Sequence, residues 1–219
     1  MNLPVFIVGG GGHTKVLINV LRLRSMKILG ITETDSTRIG TDVLGISVLG
    51  NDDVLSGYAP ESLLLVNGVG SIHLPKARMA VFEKFKEKGF TFATVIHPAA
   101  VVAADVVLGE GAQIMAGAVI QPGSRIGMNT IVNTNVSVDH DCLIGNHVHL
   151  SPGVTLSGGV HIGDVVHLGT GATVIQGVTI GRNSLVGAGS VVVTDVPENA
   201  EFVGVPARKK SRILNEAGT

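Results

Sequence analysis

From Ile96 to Val192 every sixth residue is aliphatic, seventeen positions running through Leu108, Ile126, Ile144, Ile162 and Ile180 without an exception. Two places before each, from Ala100 through Ala112, Cys142 and Val160 to Ser190, stand only Ala, Ser, Thr, Cys or Val. Residues two apart in an extended strand share a face, so each six-residue unit sends one small and one larger apolar side chain inward. A strict period of six with this alternation predicts a parallel β-helix of hexapeptide repeats. Three hexads make a coil of eighteen residues, giving between five and six coils over residues 95–194.

The first 94 residues follow a different pattern of alternating strands and helices. Pro4 to Val8 reads as a buried strand, and Gly9-Gly10-Gly11-Gly12 as a loop. His13 to Arg24 reads as a helix with Val16, Leu17, Val20 and Leu21 on its buried face. Lys27–Thr32 and Ser62–Val66 read as further strands. Pro75 and Gly89 bracket a second helix whose Met79, Val81, Phe82 and Phe85 would face the sheet. A short strand over Phe90–Val95 leads into the coils. The pattern predicts a small, doubly wound, Rossmann-like α/β domain. After Asp195-Val196-Pro197 the period stops, leaving residues 195–219 as a tail with Arg208, Lys209, Lys210 and Arg212.

Thirty glycines, 3% aromatic content and no Trp suit many tight corners and thin strands. A net charge of −1 argues against a general nucleic-acid or anionic-membrane surface. Cys142 is the only cysteine, which excludes an intrachain disulfide and a cysteine metal cluster; its small inward slot makes it a buried structural thiol. No stretch reaches the roughly 18 apolar residues of a membrane span, and the early first strand speaks against a cleaved signal. A cytoplasmic location is expected.

Residues eighteen apart stack on neighbouring coils about 4.8 Å apart. His140, two places past Val138, falls at a corner with Pro122 and Gly158 in its column, while Asp141 stacks with Gly123 and Gly159. The glycines leave room for a ligand beside the pair. A corner histidine next to a carboxylate suits general-base chemistry; Val138-Asp139-His140-Asp141 also reads as an ordinary polar corner, because turns favour Asp. Asp139 and Asp141 are both candidates to orient the ring. His149 and His167 share a column that faces outward, flanked by Ile131 and Leu185. With Val119 and Leu143, these outward apolar residues predict that another chain covers part of the wall. No set of ligands converges on a metal site. His147, His149, His161 and His167 each have a plain reading as surface or interface residues.

Together these segments resemble the PglD/NeuD-like bacterial sugar acetyltransferases of the left-handed β-helix superfamily. The resemblance runs from Ile7-Val8-Gly9-Gly10-Gly11-Gly12-His13, through Asn133-Thr134 and Asp139-His140-Asp141-Cys142-Leu143-Ile144-Gly145, to Val203-Gly204-Val205-Pro206-Ala207. It implies left-handed coils, against the usual right-handed crossover, and a homotrimer with sites between subunits and acetyl-CoA along the coils. It implies that His140 is the base and that Asp141, where many members carry Glu, raises its basicity. It further implies acetyl-CoA contacts from His149, Gly158, Thr170 and Ala188. Binding of a nucleotide-linked sugar is implied for Gly11, Gly12, His13, Thr32, Glu33 and Gly70. The glycine loop can cradle phosphate beside a helix N-terminus. Thr14 stands where a dinucleotide fingerprint wants Gly, so a dehydrogenase is disfavoured.

The expected fold is therefore a Rossmann-like N-terminal domain followed by an all-β left-handed parallel β-helix. The expected activity is transfer of acetyl from acetyl-CoA to the amino group of a nucleotide-linked amino-deoxysugar, without a metal or an acyl-enzyme. O-acetylation of a sialic-acid-like sugar and a non-catalytic trimeric scaffold are the alternatives.

Overall fold

The computed structural model describes residues 3–210. The N-terminal unit is a five-stranded sheet of order β3-β4-β2-β1-β5, built from β1 (Val5–Val8), β2 (Ile28–Thr32), β3 (Asp42–Val43), β4 (Ile46–Gly50) and β5 (Leu64–Asn67). All pairings are parallel except β3 with β4. The strict alternation of β1 explains the layers. Val5 and Ile7 pack on Leu17, Ile18 and Leu21 of α1 (Gly12–Leu23), whereas Phe6 and Val8 pack on Phe82 and Phe85 of α2 (Lys76–Glu87). One helix thus covers each face of the sheet.

Several expectations are corrected in detail. Ile18 and Thr14 occupy the buried face of α1 and Val16 is exposed, because the apolar stripe is rotated by about a sixth of a turn from the expected one. The strand expected from Ser62 begins at Leu64, since Pro60–Ser62 closes a single 3-10 turn first. The stretch expected as one strand over Phe90–Val95 divides: Phe92 bridges Leu65, and Val95–Ile96 already belongs to the coils. The β3–β4 hairpin was not expected. Its turn places Leu44 and Gly45 both at positive φ, 48° and 74°, and Leu44 is not the Asn or Asp that such a turn favours.

From Val95 the chain winds as a β-helix of three parallel sheets, with partners eighteen residues apart, as in Ile120↔Val138, Ile126↔Ile144 and Val132↔Leu150. This is the left-handed β-helix of the hexapeptide-repeat proteins. Both inward positions of each hexad form one core that includes Ala112, Ile114, Cys142, Ile144, Val160 and Ile162. Corners recur every six residues at positive φ and are filled mostly by Gly and Asn, but also by Asp141, His147 and Val165. Coiling does not stop where the period does. Val196 bridges Ile180 and Phe202 pairs with Val186, each sixteen residues on, so the chain drops two residues and completes another turn. Glu201–Val203 and Arg208–Lys209 then form an antiparallel hairpin, which corrects the reading of residues 195–210 as a plain tail. Arg212 lies outside the described residues.

The chain's own N-terminal unit covers part of the outer face of one coil sheet, Ile131 included. Ile131 is fully buried there, and Met115 joins the α1 core cluster. Three polar contacts stitch the seam: His13 Nε2 to Gln113 Oε1 at 2.7 Å, Gln113 Nε2 donating to Asn67 O at 2.9 Å, and Asn67 Nδ2 donating to Asn129 Oδ1 at 3.1 Å. Arg78 is buried at the same seam. It donates from Nε to Asn129 O and from Nη1 to the carbonyls of Asn67 and Val69, at 2.8–3.0 Å. Burial pushes its guanidinium down to about 9, so it stays charged near neutrality.

Candidate active site

Each corner of the coil exposes a short turn whose side chains leave the core, and the His140 corner is the most polar of them. The ring of His140 is about half exposed, and its Nδ1 lies 2.8 Å from Asp141 Oδ2. Asp139 instead accepts the His140 backbone N–H at 2.8 Å. The competition between the two acids is resolved by this geometry: Asp139 shapes the turn and Asp141 holds the ring. The Asp141 hydrogen bond, with the nearby Asp139 charge, raises the His140 imidazole above its ordinary value. Both column glycines are needed. A Cβ on Gly158 would stand 2.5 Å from His140 Nε2, and a Cβ on Gly123 would meet the Asp141 carboxylate. Asp141 has φ 58°, a conformation Asp tolerates better than most residues.

Three further expected residues lie together elsewhere. His149, Thr170 and Ala188 line a cleft of about 650 Å³, together with Ser71, Asn133 and Ser151. It is continuous through His73, Leu185, Glu201 and Lys210 with a cleft of about 890 Å³ that adds Lys76 and Lys209. Gly158 is not in this cleft. It stands beside His140 at a different corner of the coil, so the two groups of expected residues lie apart on one chain. His149 and His167 face outward from the coil as expected, but each is only 5% exposed, because Ser71 in the loop after β5 lies over both. Both ring nitrogens of His149 have protein partners, Ser71 Oγ at 2.7 Å and Asn133 Nδ2 at 3.2 Å. Burial, reinforced by the neighbouring His167, His13 and Arg78, holds its imidazole well below the ordinary value. Burial also lowers His167 to about 4.

In the N-terminal unit the glycine loop opens α1 without a side-chain cap and without an acid in the first turn. A Cβ at Gly11 or Gly12 would meet nothing within 4 Å, so the helix N-terminus is open to an anion there. The other expected contacts are already engaged. Thr32 is fully buried and its hydroxyl donates to Asp52 Oδ1 at 2.9 Å. Glu33 accepts the Gly10 N–H at 3.1 Å and pairs with Arg38 at 2.8 Å. His13 is turned to Gln113, and burial lowers it to about 4. Gly70 backs onto the His13 side chain, where a Cβ would approach to 3.3 Å. Ser71, Asn133, Arg38 and Asp52 were not singled out for a role in these sites. Asn133 lies in a quoted segment, but only folding brings Ser71 from 62 residues away in the sequence to the same cleft.

Among the described residues no three His, Cys, Asp or Glu side chains converge as metal ligands, and no helix is long and apolar enough to cross a membrane.

Comparison with known proteins joins these observations. The PglD N-terminal domain profile matches residues 4–85, and the bacterial transferase hexapeptide profile matches residues 159–194. A GDP-perosamine N-acetyltransferase of Escherichia coli O157:H7 is 31% identical over 158 residues, covering 70% of each chain. A histidine-to-asparagine variant of perosamine N-acetyltransferase from Caulobacter crescentus, in complex with CoA and GDP-perosamine, superposes with a TM-score of 0.89. It is 42% identical, over 95% of this chain and 97% of that one. The acetyltransferase domain of PglB from Neisseria gonorrhoeae FA1090, in complex with acetyl coenzyme A, superposes with a TM-score of 0.88 at 35% identity, over 96% and 100%. The chain belongs to the family of hexapeptide-repeat sugar N-acetyltransferases with a PglD-type N-terminal domain, and it is an acetyl-CoA-dependent acyltransferase.

Proposed function

We propose that this protein transfers acetyl from acetyl-CoA to the amino group of a nucleotide-linked amino-deoxysugar, with His140 as the general base. The observation that carries the reading is the His140–Asp141 pair, held at 2.8 Å and left open by Gly158. The acceptor nitrogen attacks the thioester carbonyl, and His140 Nε2 takes the proton that the nitrogen sheds. The C–S bond then breaks, and the departing CoA thiolate takes up the proton from the His140 imidazolium and leaves as the thiol. Asp141 stabilises the imidazolium that forms. Backbone N–H groups at the coil corner steady the developing oxyanion. The thioester is already activated, so no acyl-enzyme is required.

The two half-sites on one chain favour a trimer in which the His140 corner of one copy meets the Thr170–Ala188 corner of the next. Leu143, 42% exposed beside His140, is an apolar residue suited to that contact. Residues 1–94 would hold the nucleotide through the glycine loop and α1, and residues 95–194 the cofactor. The relatives that carry GDP-perosamine make a GDP-linked amino sugar the first acceptor to test. On this reading the enzyme works in the cytoplasm, where acetyl-CoA and nucleotide sugars are made.

The test is CoA release from acetyl-CoA with a panel of GDP-, UDP- and CMP-linked sugars, amino and hydroxyl acceptors alike. Turnover with an amino acceptor, lost in His140→Ala, is the expected result. Turnover with a hydroxyl acceptor alone would establish O-acetylation instead, and none with any acceptor would favour a scaffold.

A further inference from the structure

The cofactor cleft is roofed by residues 70–73, which make no backbone–backbone hydrogen bond to any described residue. Ile72 at the centre of this rim is 86% exposed. What fastens the rim is Ser71, whose backbone also bonds to His149 and whose hydroxyl reaches further. Ser71 Oγ lies 2.7 Å from His149 Nδ1 and 3.5 Å from His167 Nδ1, so a single side chain reaches rings on two successive coils. The rings meet edge to face, with centroids 5.1 Å apart. Burial keeps both neutral, so each carries one N–H and one acceptor nitrogen.

The direction of every bond in this group follows from one backbone amide. The Thr134 N–H donates to Asn133 Oδ1 at 2.8 Å, so the other end of that side chain is the NH2 group. Asn133 Nδ2 therefore donates to His149 Nε2 at 3.2 Å, and the His149 proton sits on Nδ1. Nδ1–H donates to Ser71 Oγ. The Ser71 hydroxyl is then free to donate to His167 Nδ1, which places the His167 proton on Nε2, facing Ser151 Oγ at 3.3 Å. The chain runs one way from Asn133 to Ser151, and Ser71 is its only member outside the coils.

We propose that Ser71 is a positioning residue of the cofactor cleft: its hydroxyl accepts from His149 and donates to His167, fastening the 71–73 rim over two coils. This rests on the reading of that cleft as the acetyl-CoA site. Without the hydroxyl, Asn133 still fixes His149, but His167 loses the donor that fixes its tautomer and the rim loses its tie to the second coil.

The test compares Ser71→Ala and Ser71→Thr with the parent enzyme, by kinetics and by NMR of the histidine ring nitrogens. Ser71→Ala should raise KM for acetyl-CoA about tenfold, the loss expected of one or two neutral hydrogen bonds. The amino-sugar KM should stay unchanged and kcat nearly so. His149 should remain protonated on Nδ1 while His167 becomes a mixture of tautomers, and Ser71→Thr should restore both readings. An unchanged acetyl-CoA KM or an unchanged His167 tautomer in Ser71→Ala overturns the proposal. Titrating the parent enzyme with CoA separates this from failure of the cleft reading. Shifts of the His149 and His167 signals with no effect of Ser71→Ala defeat the Ser71 role alone, whereas no shift in the parent defeats both.

Discussion

A single methyl group at Gly158 should silence the enzyme without unfolding it. The His140 ring lies flat against this glycine: an added Cβ would be 2.5 Å from Nε2 and 2.6 Å from Cε1, where ordinary contact begins at 3.4 Å. The ring must retreat by about an ångström, and it can, because the side chain is 55% exposed and no other part packs over it. That retreat moves Nε2 away from the acceptor and pulls Nδ1 from Asp141. A misplacement of about 1 Å in a catalytic group can cost on the order of 10²-fold, and complete loss of a general base about 10²–10⁴-fold. Gly158→Ala should therefore lower kcat about 10²-fold. Its melting temperature should hold to within the effect of about 0.5 kcal/mol, because Gly158 does not have a positive φ and the ring moves into solvent. The assay is CoA release under saturating acetyl-CoA and acceptor, in Gly158→Ala, His140→Ala and the double variant. If the methyl acts only through the ring, the double variant should be no slower than His140→Ala alone. Gly158→Ala retaining kcat within threefold would refute the reasoning, and so would strictly multiplicative losses in the double variant.

Four further outcomes follow from the same coordinates. Turnover should rise with pH through a midpoint above 6.5, since the base must be neutral and Asp141 raises it. Asp141→Asn, which the left-handed corner accommodates, should move that midpoint down and lower the plateau, as a pH–kcat profile will show. Folding stability should fall as pH drops from 6.5 toward 4. His13 and His167 have folded values of about 4, below the unfolded 6.5, so the unfolded chain takes up protons first; each contributes about 3 kcal/mol that is whole above 6.5 and gone below 4. Thermal melts at pH 7 and pH 5, in the parent and in His13→Gln, check this, the variant showing the smaller drop. Arg78→Met should cost about 3 kcal/mol, or roughly 6–12 °C in Tm, because the Val69 and Asn129 carbonyls are left buried without a donor. Gly11→Val should raise the amino-sugar KM while calorimetry shows acetyl-CoA binding intact, since its Cβ enters the open space at the start of α1 and touches no protein atom.

The coil was legible because its logic is local. Each hexad needs one small and one larger inward side chain, and the demand repeats from Ile96 to Val192. The corner of His140 followed from the same arithmetic, down to the glycine beneath its ring. What failed to show is what depends on a missing or distant partner. The last turn went unseen because a step of sixteen breaks the period while Val196 and Phe202 still reach their columns. Val16 was misassigned because an isolated 12-residue amphipathic pattern fixes the stripe only to within a residue or two, and Ile18 wins the buried place. His149 and His167 were read as outward, which is true of the coil, but nothing in the hexads reveals the loop that covers them.

That last failure bears on how the chemistry is distributed. The coil sequence fixes where a corner residue points; it cannot state whether solvent, the N-terminal unit or a second copy lies beyond it. His140 and His149 come from equally regular hexads and sit nine residues apart, yet one is half exposed with a raised imidazole and the other buried with a lowered one. The two differ first in position, His140 at a turn and His149 on an outward strand place, and the layer over His149 adds to that difference. A neutral, fully partnered His149 is unsuited to taking a proton, whereas His140 keeps its Nε2 free and its Nδ1 on a carboxylate. Under the proposed mechanism the N-terminal unit, by lying on one sheet and leaving the His140 corner open, leaves His140 rather than His149 available as the base.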